Sequence, residues 1–176
     1  MNDGTSAGYP LVLHSGADSS KLGGVAICGF STVGSVGVIA ASHLIRSLNL
    51  DPMGTVMHPK FAAIALIHDS VPKHPVRVYQ GDEIGVFTAE IQFPSENDVY
   101  FGQTVLEWFT KGGFSKLIVI DGVVSNDLGI KEESDLWSVS STGEGRDRLD
   151  DADIQRIQQG VVSGITGYLI AEGERR

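Results

Sequence analysis

Cysteine is almost absent from this 176-residue sequence, and so is any long hydrophobic run. The single cysteine, Cys28, has no partner for an internal disulfide, which fits a reducing compartment, and it is most simply a small buried hydrophobe. No apolar stretch approaches the ~20 residues of a membrane-spanning helix, and the N-terminus lacks the basic-then-apolar pattern of a signal peptide. We therefore expect a cytoplasmic protein with no membrane partner.

Positive charge is also scarce. Thirteen lysine and arginine residues stand against 22 acidic residues, which gives a formal net charge of −9. Nucleic-acid-binding proteins need a clustered basic face, so we expect no nucleic-acid partner.

The length fits one domain. We predict an N-terminal extension over residues 1–22, with a first strand near residues 9–14, and a single α/β domain over residues 23–176.

Glycine, in contrast, is abundant, and it marks the central motif of the chain. An apolar strand at residues 25–28 runs into a glycine-rich turn and then into an amphipathic helix, which is the opening of a βαβ unit. Function usually lies at the strand ends of such units. The candidate ligand- or partner-binding residues of this turn are Gly29, Phe30, Ser31, Thr32, Val33, Gly34, Ser35 and Gly37. Phe30 is either a core residue or an exposed contact for another chain.

The remaining pattern alternates strands and helices. Residues 77–80 and 84–91 predict a β-hairpin around Gly81-Asp82. Residues 99–111 predict a helix that carries Trp108 and Phe109, with at least one of the two rings buried. The apolar run at 117–120 is typical of a central parallel strand covered on both faces. These elements predict an α/β fold with a three-layer, mostly parallel sheet, helices on both faces and an inserted β-hairpin.

Three segments give weaker predictions. Residues 61–68 are apolar and alanine-rich, and they fit either a buried strand or a short helix. Residues 142–153 are charged and glycine-rich, which indicates an exposed loop. That loop is expected to lead into a helix around residues 154–159.

The motifs of catalysis and cofactor binding are incomplete. Gly29 to Gly34 has the glycine spacing of a P-loop, but Ser35-Val36 replaces the Lys-Ser/Thr pair that holds phosphates. The dinucleotide-binding fingerprint and a correctly spaced nucleophile elbow are missing. The five histidines do not have metal-ligand spacing. We therefore assign no catalytic residue, no metal and no cofactor.

Asp121 and Gly122 are further candidates for binding, because they lie near the end of the apolar strand. A carboxylate at this position serves either a binding site or the capping of the next loop. The turn has two interpretations as well. A helix N-terminus after a glycine turn offers free N–H groups to an anion, and the same glycines allow a helix to pack tightly on a strand.

Two motifs resemble those of a known family. Residues 29–37, Gly-Phe-Ser-Thr-Val-Gly-Ser-Val-Gly, are similar to the opening of the archaeal and bacterial proteasome-assembly-chaperone family, of the proteasome assembly chaperone 2-like type. Residues 160–170, Gly-Val-Val-Ser-Gly-Ile-Thr-Gly-Tyr-Leu-Ile, resemble its closing motif. Between them, residues 117–123 resemble the family strand that ends in Gly-Val. The resemblance covers residues 23–171.

The resemblance implies a phosphorylase/hydrolase-like α/β fold, self-association into a homo-oligomer, and assistance in the assembly of proteasome α subunits without catalysis. Some relatives dock on proteasomes by a C-terminal hydrophobic-Tyr-x tail, whereas this sequence ends in Gly-Glu-Arg-Arg. Because relatives commonly continue past the closing motif, we expect either a shortened C-terminus or a different mode of docking.

Three hypotheses remain at this stage. The first is an oligomeric module that binds a protein partner. The second is an enzyme that binds a nucleotide- or nucleoside-like anion at the carboxyl ends of the strands, which rests on analogy of fold. The third is a structural domain in which the glycine turn serves packing alone.

Overall fold

The structure is a computed structural model in which residues 8–14, 23–59, 61–123 and 136–175 are described. The chain forms two compact units, residues 1–122 and residues 123–176. The described elements of the first unit are β1 (Leu11–Leu13), β2 (Val25–Phe30), α1 (Val36–Ser47), β3 (Asp51–Val56), β4 (Leu66–His68), β5 (Val71–Lys73), β6 (Val76–Gln80), β7 (Ile84–Ala89), α2 (Asp98–Lys111) and β8 (Lys116–Ile120).

Six of these strands form one mixed sheet in the order β1-β3-β6-β7-β2-β8. Strand β2 pairs parallel with β7 and β8, and the other three pairings are antiparallel. Strands β2, β3, β7 and β8 therefore share one direction, while β1 and β6 run against it. The sheet is therefore mixed, and the prediction of a mostly parallel sheet is corrected. The antiparallel strand β6 lies between β3 and β7 and interrupts the parallel pairing.

The two main helices of the first unit pack on opposite faces of the sheet. Ala41 of α1 contacts a cluster that includes Tyr79 and Val86. Because side chains alternate along a strand, Phe87 points to the other face. There its ring packs edge-on against Phe101 of α2 at 5.5 Å and against Trp108 at 5.4 Å. Trp108 is therefore buried, as predicted for at least one aromatic ring of this helix.

Strand β8 is not the central strand that its apolar run predicts. It lies at the end of the sheet as far as the described strands extend, and it pairs with β2. Ile118 is 47% exposed. A continuous apolar run indicates that both faces of a strand favour burial, but it does not show how much of each face a neighbour covers.

Residues 61–68 form neither the buried strand nor the short helix that their sequence allows. Residues 62–65 and Ile67 are exposed, and the segment ends as strand β4, which pairs with β5 in a small separate sheet. An apolar, alanine-rich sequence is compatible with burial. The two faces of the main sheet are, however, already packed against α1 and α2, and this leaves residues 61–68 outside the core.

The second unit is built from short elements. Those described are β9 (Trp137–Ser138), α3 (Gly143–Asp151), β10 (Gln155–Arg156) and α4 (Gly164–Arg175). The predictions for residues 142–159 were wrong, because the charged segment forms α3 and the expected helix is replaced by β10. The side chain of Thr142 caps α3 by accepting a hydrogen bond from Gly145 N at 3.1 Å, which satisfies a free N–H of the first turn.

Within the part of the chain that the structure describes, no helix has both the length and the apolar character needed to cross a membrane.

Two buried threonines of the first unit differ in whether their hydroxyl has a hydrogen-bond partner. The Thr88 hydroxyl on β7 is fully buried and has no hydrogen-bond partner. The Thr104 hydroxyl on α2, also buried, accepts a hydrogen bond from Tyr9 N and donates one to Tyr100 O at 3.1 Å. Burying a hydroxyl without a partner costs free energy, whereas a paired hydroxyl satisfies the groups around it.

We expect Thr88→Val to raise the free energy of unfolding by ~1 kcal/mol, because it removes an unpaired polar atom at nearly constant volume. The matched variant Thr104→Val should lower it by ~1–3 kcal/mol, since it leaves the Tyr9 N–H without its partner. Urea denaturation of both variants measures the difference. Equal losses in the two variants would contradict the prediction.

Candidate functional site

The glycine turn joins the carboxyl end of β2 to the start of α1 through a short 3-10 turn at Val33–Ser35. Gly34 has φ +66° and Ser35 has φ +54°, so two successive residues adopt the left-handed conformation. Glycine adopts it without steric cost, and serine does so at some cost. The turn thus redirects the chain within a few residues and places the N-terminus of α1 directly over the sheet.

Three glycines let backbone pack against backbone at this point. A Cβ atom on Gly29 would overlap the carbonyl oxygen of Gly37, and one on Gly37 would overlap that of Ile120. A Cβ atom on Gly122 would overlap the carbonyl oxygen of Val33. The first turn of α1 therefore lies in contact with β2 and with the end of β8, and no side chain separates them.

A side-chain contact reinforces this packing. The Thr32 hydroxyl donates a hydrogen bond to Asp121 Oδ1, and Gly122 N donates to the same oxygen at 2.7 Å. The Asp121 carboxylate therefore ties the turn to the residues that follow β8. It acts here as a cap of the loop, which was one of the two roles predicted for it.

The sequence-predicted candidates all lie at this end of the sheet, but they differ in accessibility. Val33, Gly34 and Ser35 are exposed, while Ser31, Thr32, Asp121 and Gly122 are half-buried. Gly29, Phe30 and Gly37 are buried. The Phe30 ring packs against Phe87 and Phe101, so Phe30 is a core residue and not an exposed contact.

Two exposed apolar residues extend the site beyond the predicted candidates. Val36 and Ile39 lie one helical turn apart at the start of α1, next to Val33, and all three side chains are exposed, Ile39 to 64%. We call these three residues the turn surface. Ile39 is one of the apolar residues that recur at helical spacing along α1, and this amphipathic pattern favours its burial. No signal in the sequence separates it from its buried neighbours, because the stripe of apolar residues is wider than the face that the sheet covers.

The side chains near the turn offer little reactive chemistry. Cys28 is fully buried in β2, and this burial raises the pKa of its thiol far above the ordinary value, so the reactive thiolate is disfavoured. Among the described residues, no group of three or more His, Cys, Asp or Glu side chains is placed to hold a metal ion. The exposed side chains at the turn are mainly apolar, and Ser35 adds one exposed hydroxyl.

The fold and the site together define a class: an α/β protein whose glycine-lined crossover presents an apolar surface. Comparison with known proteins gives the family. The sequence matches the model of the PAC2 family over residues 26–176. The chain therefore belongs to the PAC2 family, which confirms the resemblance seen in its opening and closing motifs. A search of curated proteins finds no match.

Solved structures with the same fold include two proteins of Pyrococcus furiosus, PbaA and PbaB. PbaA, an archaeal homolog of proteasome-assembly chaperone, is 24% identical with a TM-score of 0.81, over 96% of this chain and 68% of its own. PbaB, an archaeal proteasome activator, is 18% identical with a TM-score of 0.72, over 97% and 76%. A protein of unknown function from Thermoplasma acidophilum is 23% identical with a TM-score of 0.75, over 87% and 63%.

The backbone packing of the turn leads to a prediction about two of its glycines. We expect Gly34→Ala to cost ~1–2 kcal/mol of unfolding free energy, because the new Cβ makes only an ordinary van der Waals contact with Val36 and the strain is confined to the positive φ. Gly37→Ala should cost ~3 kcal/mol or more, although alanine favours a helix, since its Cβ would overlap the Ile120 carbonyl. Chemical denaturation ranks the two variants. A Gly37→Ala variant as stable as the original protein would show that α1 can move away from β8 at no cost.

Proposed function

We propose that this chain is a non-catalytic, self-associating module that assists the assembly of proteasome α subunits. The observation that carries the proposal is the PAC2 family match, which includes residues 26–176 and therefore nearly the whole chain. The likeness of its fold to a homolog of proteasome-assembly chaperone and to a proteasome activator points the same way. A single buried cysteine is compatible with action in the cytoplasm.

We also infer a three-layer, phosphorylase/hydrolase-like architecture with an inserted hairpin. In support, α1 and α2 cover opposite faces of the sheet, and β6 lies antiparallel between β3 and β7. The family match includes residues of both compact units. This supports one functional domain over residues 23–176, with residues 1–22 as an extension.

The turn surface is our candidate for the contact with the α subunit. Val33, Val36 and Ile39 are apolar and exposed on a backbone that three glycines and the Thr32–Asp121 hydrogen bond hold in place. A preorganised apolar surface binds a protein without the entropic cost of ordering a loop. In this proposal Gly29, Gly34, Gly37 and Gly122 shape the surface.

The enzyme hypothesis has weaker support. An anionic ligand at the α1 N-terminus would approach the Asp121 carboxylate, which is bonded to Thr32 of the same turn, and like charges repel. The Cys28 thiol is buried below the turn and does not reach an accessible surface. We therefore retain the binding module as the proposed function.

The test is retention of purified proteasome α subunits by the immobilised full chain at low and moderate salt. We expect Ile39→Ser to weaken binding about tenfold, which corresponds to the loss of one well-packed apolar anchor. Leu48→Ser is the matched control, because Leu48 is 51% exposed at the other end of α1.

Two outcomes would contradict this proposal. If the original chain retains no α subunit at either salt concentration, assistance in α-subunit assembly is excluded. If Ile39→Ser and Leu48→Ser bind equally well, the contact lies outside the turn surface.

A further inference from the structure

A second exposed apolar region lies between β3 and β6. Residues 61–74, which we call the arm, include the exposed side chains of Ile64, Ile67 and Val71, with Ile67 exposed to 66%. Residues 61–68 contain no Asp, Glu, Lys or Arg. Single exposed apolar side chains are ordinary on a protein surface, whereas several of them in one short segment make that segment a candidate for a protein contact.

The arm has a defined shape. Strands β4 and β5 pair antiparallel, and Asp69 and Ser70 between them both have positive φ, as in a two-residue hairpin turn. Ile67 lies opposite Pro72 on one face of this hairpin, and His68 lies opposite Val71 on the other. In the described residues the hairpin forms a two-stranded sheet separate from the main one.

Both ends of the arm are attached to the main sheet or its neighbours. At the start, the Phe61 ring packs at 5.3 Å from Tyr9 and 5.1 Å from Phe93. Further along, His68 Nε2 lies 3.4 Å from Glu90 Oε2. Arg77 pairs with the other oxygen of Glu90 and donates a hydrogen bond to His74 O. The arm is therefore held in place before any partner binds, and its outer face carries Ile67.

Charge distinguishes this region from the rest of the chain. Residues 52–81 contain one acidic residue, Asp69, and three basic ones, whereas the other 146 residues contain 21 acidic and ten basic residues. Two copies of a chain with net charge −9 repel each other. Close approach of a second copy therefore costs least at the acid-poor segment, which is also where the exposed apolar side chains of the arm lie.

We propose that the arm is the surface by which one copy of this chain docks on another. Ile67 and Pro72, which share the outer face of the hairpin, supply the apolar contact, and the low acidity of residues 52–81 keeps the repulsion by the acidic second copy small. This inference rests on the self-association included in the proposed function and assigns a surface to it.

The experiment compares the full chain with three variants by light scattering after size-exclusion chromatography and by sedimentation velocity. Ile67→Glu removes apolar contact and adds negative charge, Ile67→Lys removes the same apolar contact and adds positive charge, and Leu48→Ser, at an exposed apolar residue outside both the arm and the turn surface, is the control. We expect the glutamate variant to raise the dissociation constant of the oligomer by more than about tenfold. The lysine variant should raise it less, and the control should leave it unchanged. Circular dichroism and thermal melts check that each variant is folded.

Each result has a distinct meaning. An original chain that is monomeric throughout the micromolar range overturns the proposal together with the proposed self-association. An oligomer that the folded glutamate variant leaves intact overturns the arm assignment alone. If that variant instead loses retention of α subunits while remaining oligomeric, the arm is a surface for the α subunit and the proposal is wrong.

Discussion

The contact of backbone with backbone between the start of α1 and the ends of β2 and β8 determines the rest of the first unit. Gly29, Gly37 and Gly122 each lack the atom that would separate these elements. With the helix this close, Ala41 reaches the apolar cluster of the sheet, and the Thr32 hydroxyl reaches Asp121. One local constraint, the absence of three Cβ atoms, thus sets the position of the helix and the shape of the turn.

The same constraint explains why the turn presents an apolar surface. A crossover lined with glycine carries few polar side chains, the Thr32 hydroxyl and the Asp121 carboxylate are engaged with each other, and the nearest thiol is buried beneath it. What remains accessible is a row of apolar side chains on a rigid support. Such a surface is suited to recognition by shape and apolar contact, as the proposed binding module requires.

The sequence predicts those parts of the structure that local signals determine. Glycine spacing and helical periodicity identify β2, the turn and α1, and the Gly81-Asp82 turn identifies the pairing of β6 with β7. The errors have one physical origin. Apolar runs at Ile118 and in the arm indicate residues that favour burial, yet whether a neighbour covers them depends on distant parts of the chain. The exposed Ile39 could not be predicted for the same reason.

The arm follows the carboxyl end of β3 and the turn surface follows the carboxyl end of β2, so both lie at the same edge of the main sheet, with β6 and β7 between the two strands. Glu90, which holds His68 of the arm, directly follows β7, and Ser31 of the turn donates its N–H to Ala89, the last residue of β7. A second copy docked on the arm would therefore lie near the turn surface of the first. Self-association would then bring the surface of one subunit next to the partner-binding surface of its neighbour, so that a bound α subunit could contact both. In that arrangement oligomerisation and partner binding support each other by position, without a change in conformation.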